Sequence, residues 1–180
     1  MALLPIQRQK EIDSIIEDLK LKTGLAYPEN NLLDIAQAIG VNVYEVDFDE
    51  PSENIDGAIQ YVDNEGKKDP KIFVNSQYPP ERKTFTLAHE LGHYLLHKGE
   101  EKLRIDSFEY SQDTQESREE SEANYFAASL LVPKEKLVNL LKLTGGTDLG
   151  AVAKYFGVSK PVIENRIKWM EKNRIGSEAQ

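Results

Sequence analysis

Cysteine is absent from the 180 residues. Disulfides and thiolate metal ligands are therefore excluded, and any metal site must be built from His, Asp or Glu. Positive charge is scarce as well. The 22 Lys and Arg are outnumbered by 31 Asp and Glu, a formal net charge of −9, which disfavours non-specific binding to nucleic acid. No apolar run reaches membrane-spanning length. The N-terminal MALLPIQRQKEID becomes charged too soon to read as a secretory leader. Lacking a leader, thiols and an apolar span, the chain is expected in the cytoplasm with no membrane partner. There is neither an internal repeat nor a low-complexity tract. What remains, at 39% apolar and 29% charged residues, is the composition of one globular domain or one domain with a small appendage.

Hydrophobic spacing predicts a helix over residues 6–23 stopped by Gly24, then a helix over 32–39 capped by Asn31 and ended by Gly40. Alternation predicts strands in VNVYEVDF, GAIQYV and KIFVN, the last two forming a hairpin around the turn DNEGKKDP. Pro51 to Asp56 reads as a loop. Pro79 and Pro80 introduce a helix that Gly99 can end. Residues 98–121 are polar and read as a loop running into the helix EESEANYFAASLLV. Pro133 restarts the chain as PKEKLVNLLKL, and two last helices meet at Phe156-Gly157-Val158. The fold expected is α+β, with about three mostly antiparallel strands beside one central helix and further helices on its other side.

That central helix carries TFTLAHELGHYLLH, and within it HELGH. Side chains four apart on a helix lie about 6 Å apart along the axis and on nearly the same side. His89 and His93 can thus aim one nitrogen each at a single zinc ion. Glu90, rotated by about 100°, cannot easily join them but can border the same cavity, where it could take a proton from a water acidified by the metal. This division of labour gives the spacing His-Glu-x-x-His its meaning. Gly92 costs about 1 kcal/mol relative to alanine inside a helix; close approach of another backbone, or a crowded metal shell, would account for it. His97 extends the row, but it lies about 12 Å along the axis from His89. It reads better as a helix-end residue favoured by the C-terminal dipole.

A catalytic zinc usually keeps three protein ligands. With residues 119–132 drawn as a helix, Ala123, Phe126, Ala127 and Leu130 form the buried face, Glu120 borders it, and Glu122 lies further round. Glu120 is chosen as the third ligand, with Asn124 one turn on as a group able to orient a histidine. Tyr61, Tyr78, Tyr94 and Tyr125 qualify as oxyanion stabilisers by type only, and none is assigned.

RKTFTLAHELGHYLLH followed by ESEANYFAASLLVP resembles the ImmA/IrrE family of zinc metallopeptidases, as do the strands VNVYEVDF, DGAIQY and IFVN upstream. The resemblance covers roughly residues 30–135. It implies a gluzincin-like site with His89 and His93 as ligands, Glu90 as base and a glutamate of the later helix as third ligand. In gluzincins an Asp often stands where Asn124 stands here, and the position of Glu122 is also commonly acidic, so Glu122 remains the alternative to Glu120. The resemblance implies zinc, with manganese as a substitute in vitro, and a helix-turn-helix repressor as substrate, cleaved to release stress-response or mobile-element genes. The chain is accordingly expected to comprise a peptidase domain at 1–135, a C-terminal helical subdomain at 136–175 and a tail at 176–180.

Two other functions compete. The last two helices have a helix-turn-helix outline with Lys160, Arg166, Lys168, Lys172 and Arg174 nearby, which would suit a DNA-binding or repressor-binding regulator. Against it, Leu149, Val152, Val162, Ile163, Ile167 and Trp169 can simply pack those helices onto the core. A purely structural zinc site would need a fourth protein ligand, and only His97 is at hand.

Overall fold

A computed structural model describes residues 4–48, 55–64, 66–97, 102–105 and 115–178. Two helices open the chain, α1 (Ile6–Thr23) and α2 (Leu32–Ala38). Gly24 ends α1 in the left-handed conformation at φ 69°, and the Asn31 side chain accepts from Leu33 N–H at the start of α2, both as the sequence predicts. Strand β1 (Asn42–Val46) precedes the hairpin of β2 (Ile55–Asn64) and β3 (Lys67–Asn75). The hairpin is tighter than DNEGKKDP suggests: pairing runs out to Asn64 and Lys67, with Gly66 at φ 84°. Pro70 is tolerated in β3 because β1 begins pairing only at Lys71, leaving Pro70 with a strand partner on one side.

The α+β class holds, with a sheet of four strands in the order β1-β3-β2-β4. β2 pairs antiparallel with β3 and β4, while β1 runs parallel to β3. The fourth strand, β4 (Lys102–Ile105), corrects the reading of 98–121 as one loop. Its four residues alternate polar and apolar but are too short a run to be told from the charged segment around them; they pair with Ile55 to Ile59 of β2. Residues 98–101 and 106–114 of that expected loop, most of the loop at 51–56, and the stop at Gly99 lie outside the described residues.

Helix α3 (Pro80–Leu96) carries the motif. Pro79 and Pro80 start it where their missing N–H groups cost nothing. It lies against β2 and β3 on one side and α4 (Gln115–Leu131) on the other. α1 and the last helix cover the far side of α4. Ile59, Ile72 and Val74 of the sheet, Leu87, Ala88 and Leu91 of α3, and Phe126, Ala127, Leu130 and Leu131 of α4 form one continuous buried core. Asp56, 2% exposed, ties β2 to the start of α3 through Arg82, whose Nη2 donates to it at 2.6 Å.

Helices α5 (Lys134–Leu143), α6 (Leu149–Phe156) and α7 (Lys160–Glu178) complete the chain. The α6–α7 joint sits at Gly157, left-handed at φ 59°, with Phe156, Val158 and Ile163 buried. Tyr27 O–H donates to Phe156 O at 2.6 Å. α7 is helical through Glu178, past residue 176 where the sequence suggests a tail.

Candidate metal centre

The motif lies on the stretch of α3 enclosed by the sheet and α4. His89 and Glu90 are fully buried and His93 is 1% exposed. His89 Nε2 and His93 Nε2 are 3.0 Å apart. Glu120 of α4 closes the triangle, with one oxygen 3.2 Å from His89 Nε2 and the other 3.0 Å from His93 Nε2. Among the described residues this is the one group of three or more His, Asp or Glu side chains arranged to hold a metal. Zinc bonds of about 2.0–2.1 Å at tetrahedral angles set neighbouring ligand atoms roughly 3.4 Å apart, so the trio fits the ion within a few tenths of an ångström. Burial works to raise the pKa of Glu120, but where His89 and His93 carry a proton toward it, their hydrogen bonds and charge outweigh burial and hold the carboxyl well below the usual range. A carboxylate facing two imidazoles is a donor set that suits a divalent cation.

Two features of the backbone permit this convergence. Gly92 faces α4 at a point where a Cβ would stand 3.1 Å from Phe126 Cδ1, 3.2 Å from Ala123 Cα and 3.3 Å from Ala123 O. Close approach of a second backbone is therefore the reason for a glycine inside this helix. At Gly57 on β2, a Cβ would meet Thr86 Cγ2 at 2.5 Å and Phe73 O at 2.8 Å, with Glu90 Cγ next at 3.7 Å. β2 passes under α3 beside Glu90, and no larger residue fits. In the sequence Gly57 only opens an alternating run, and that place is the available signal.

Asn124 lies where the helical drawing put it, with Oδ1 2.9 Å from His89 Nδ1. His89 Nδ1–H donates there, which leaves Nε2 bare toward Glu120 and His93. Glu122 is brought elsewhere. Its Oε2 is 3.0 Å from His97 Nε2 and 2.6 Å from Arg8 Nη2 of α1. Burial pushes its pKa up, yet Arg8 and His97 together hold it below the ordinary carboxylate value. His97 caps the C-terminal end of α3, as its position suggests. Beyond that, its Nδ1 stands 3.0 Å from His93 Nδ1, a contact that the spacing of four from His93 allows. Burial holds the His97 imidazole below its usual pKa, against the opposing pull of Glu122.

The tyrosines separate by environment. Tyr125 O–H donates to Asp13 on the far side of α4, Tyr78 lies under the Arg82 guanidinium, and Tyr61 and Tyr94 form a tilted pair 6.4 Å apart. Of the basic residues counted toward a helix-turn-helix, Arg166 is buried and donates to Val132 O through Nε at 3.2 Å, so a polyanion cannot reach it.

A His-Glu-x-x-His helix packed on a small sheet, with a glutamate supplied by a second helix, is an arrangement that metallopeptidases use. The match to known proteins is specific: residues 36–168 fit the peptidase family described as the IrrE N-terminal-like domain, and the chain belongs to that family. It is 33% identical over 132 residues to the radiation response metalloprotease IrrE of Deinococcus deserti, which covers 69% of this chain and 47% of that protein. Over 101 residues it is 37% identical to the protein of the same name from Deinococcus radiodurans, covering 53% of this chain and 30% of that one. The chain thus spans less than half the length of either relative. A Mycobacterium tuberculosis transcriptional regulator shares the fold at a TM-score of 0.54 and 18% identity, over 89% of this chain and 48% of that one. No helix of the described residues is long and apolar enough to cross a membrane.

Proposed function

We propose that this protein is a zinc-dependent endopeptidase whose substrate is a helix-turn-helix transcriptional repressor. The observation that carries the peptidase reading is the meeting of Glu120 with both imidazoles, 3.0–3.2 Å away, beside a fully buried Glu90 on the same helix as the histidines. His89, His93 and Glu120 would hold the zinc. When bound, zinc supplies Lewis acidity, polarising a peptide carbonyl and lowering the pKa of a coordinated water toward about 7. Glu90 takes the proton from the attacking water and returns it to the leaving amine. Asn124 fixes the His89 ring so that Nε2 stays unprotonated. The sheet and α4 bury His89, Glu90 and His93, which strengthens the charge interactions among them.

The repressor as substrate rests on family membership. In this reading the protein works in the cytoplasm, where such repressors meet their operators, and cleavage releases stress-response or mobile-element genes. Residues 1–135 form the peptidase domain in this reading. Residues 136–175 act as a helical subdomain docked on it, supported by the Arg166 bond to Val132 O and the tilted contact of Trp169 with Tyr125, ring centroids 5.2 Å apart. The competing reading, a regulator that binds a repressor or DNA around an inert metal site, is separated from this one by a single comparison. Purified protein and its Glu90→Gln variant, each loaded with zinc or manganese, are incubated with the repressor encoded beside the gene. Cleavage by the parent alone supports the peptidase; an intact repressor with both supports the regulator.

A further inference from the structure

From the metal site a row of polar side chains leads away across three helices. His93 Nδ1 and His97 Nδ1 are 3.0 Å apart. His97 Nε2 and Glu122 Oε2 are 3.0 Å apart. Arg8 Nη2 donates to that same oxygen at 2.6 Å, and Arg8 Nη1 donates to Glu11 at 3.0 Å. The His97 and Glu122 side chains are 7% and 16% exposed, so water competes weakly for these bonds. Arg8 belongs to the first turn of α1 and lies outside residues 36–168, the part that matches the family.

We propose that Arg8, Glu122 and His97 are positioning residues of the metal centre, and that α1 thereby forms part of it. The inference rests on the metal-site reading and extends it. Proton placement along the row supplies the reason. To face Glu120 and an ion, His93 Nε2 must be bare, so its proton sits on Nδ1. That N–H points at His97 Nδ1, which must then accept. The His97 proton therefore sits on Nε2 and is donated to Glu122, a carboxylate that only accepts. Arg8, which only donates, secures Glu122 in place. A donor-only group at one end and a bare metal-facing nitrogen at the other leave one consistent direction for every hydrogen bond between them. If Arg8 is lost, Glu122 can swing toward solvent. His97 is then free to carry its proton on Nδ1, where it opposes the His93 N–H and favours the His93 tautomer that cannot bind a metal.

The test compares zinc affinity, by chelator competition, of the full chain with Arg8→Gln, Arg8→Lys and His97→Phe. Partners of this kind typically govern about 10–100-fold in metal affinity. His97→Phe, which fills the same space without an acceptor, is expected to fall in that range. Arg8→Gln should weaken zinc by about tenfold, and Arg8→Lys, which keeps a donor, should recover most of it. Imidazole 15N shifts of the zinc-loaded protein supply a readout that simple destabilisation would not move. In the parent, His97 should carry its proton on Nε2 alone, and in Arg8→Gln the two nitrogens should share it. A parent that holds one zinc, together with an Arg8→Gln variant that matches it in affinity and in 15N pattern, overturns the positioning role and leaves the metal site standing. A parent that binds no zinc overturns both.

Discussion

Gly92→Ala probes how tightly α3 and α4 must approach for the metal site to exist. The new methyl would lie 3.1–3.3 Å from Phe126 Cδ1, Ala123 Cα and Ala123 O, whereas carbon contacts settle near about 3.5–4.0 Å. Two of the three atoms are α4 backbone, so no rotamer change relieves them. The third belongs to a fully buried phenylalanine. The helices must therefore part by a few tenths of an ångström. Two terms then oppose each other. Alanine gains about 1 kcal/mol over glycine in a helix interior, while overpacking a filled core costs about 1–3 kcal/mol. The net loss of stability is thus small, between about zero and 2 kcal/mol. The metal site is far less forgiving. Glu120 rides on α4 one turn before Ala123, the histidines ride on α3, and ligand distances tolerate only about 0.2 Å. Zinc affinity is expected to fall by at least about tenfold, out of proportion to the change in melting temperature. Chelator competition and thermal melts of the zinc-free protein measure the two quantities separately. A Gly92→Ala variant that binds zinc as the parent does and is stabilised by the full helix-propensity gain would refute the close-approach account.

Glu90→Gln should keep its zinc by elemental analysis yet lose cleavage by about 10²–10⁴-fold, the usual worth of a general base; parental turnover would remove Glu90 from the mechanism. Asn124→Leu should weaken zinc by about 10–100-fold by leaving His89 Nδ1–H without an acceptor, whereas Asn124→Asp should hold it, and equal dissociation constants for the two variants would reject the orienting role. Removing zinc from protein held in free zinc about 100-fold above its dissociation constant should cost about 2.7 kcal/mol. For a chain of this size that lowers the melting point by roughly 5–10 °C, visible by calorimetry, and an unchanged melt would argue against a bound metal. Asp56→Ala should cost about 1–3 kcal/mol in urea unfolding, because Asp56 is buried while its partner Arg82 is 35% exposed and partly repaid by water.

Short-range physics wrote the legible part of this protein. The four-residue spacing of His89 and His93 places them together on any helix that forms, and the helix signals lie within a few residues of the positions they govern: Asn31 before α2, Pro79 and Pro80 at α3, Gly157 between α6 and α7. The buried face of α4 could also be read from its apolar spacing, which brought Glu120 and Asn124 into consideration. Where the chain had to meet itself at a distance, the sequence offered alternatives or nothing. Glu120 and Glu122 are both acidic and two residues apart; only the line along which α4 crosses α3 turns Glu120 toward the imidazoles and Glu122 toward His97 and Arg8. β4 exists because β2 offers it an edge, and Gly57 is required because a helix passes over it. Backbone periodicity and capping are fixed by neighbours a few residues away. Crossing lines, strand partners and the ion pair between Arg8 and Glu122 depend on how whole elements pack, and only the folded chain decides that.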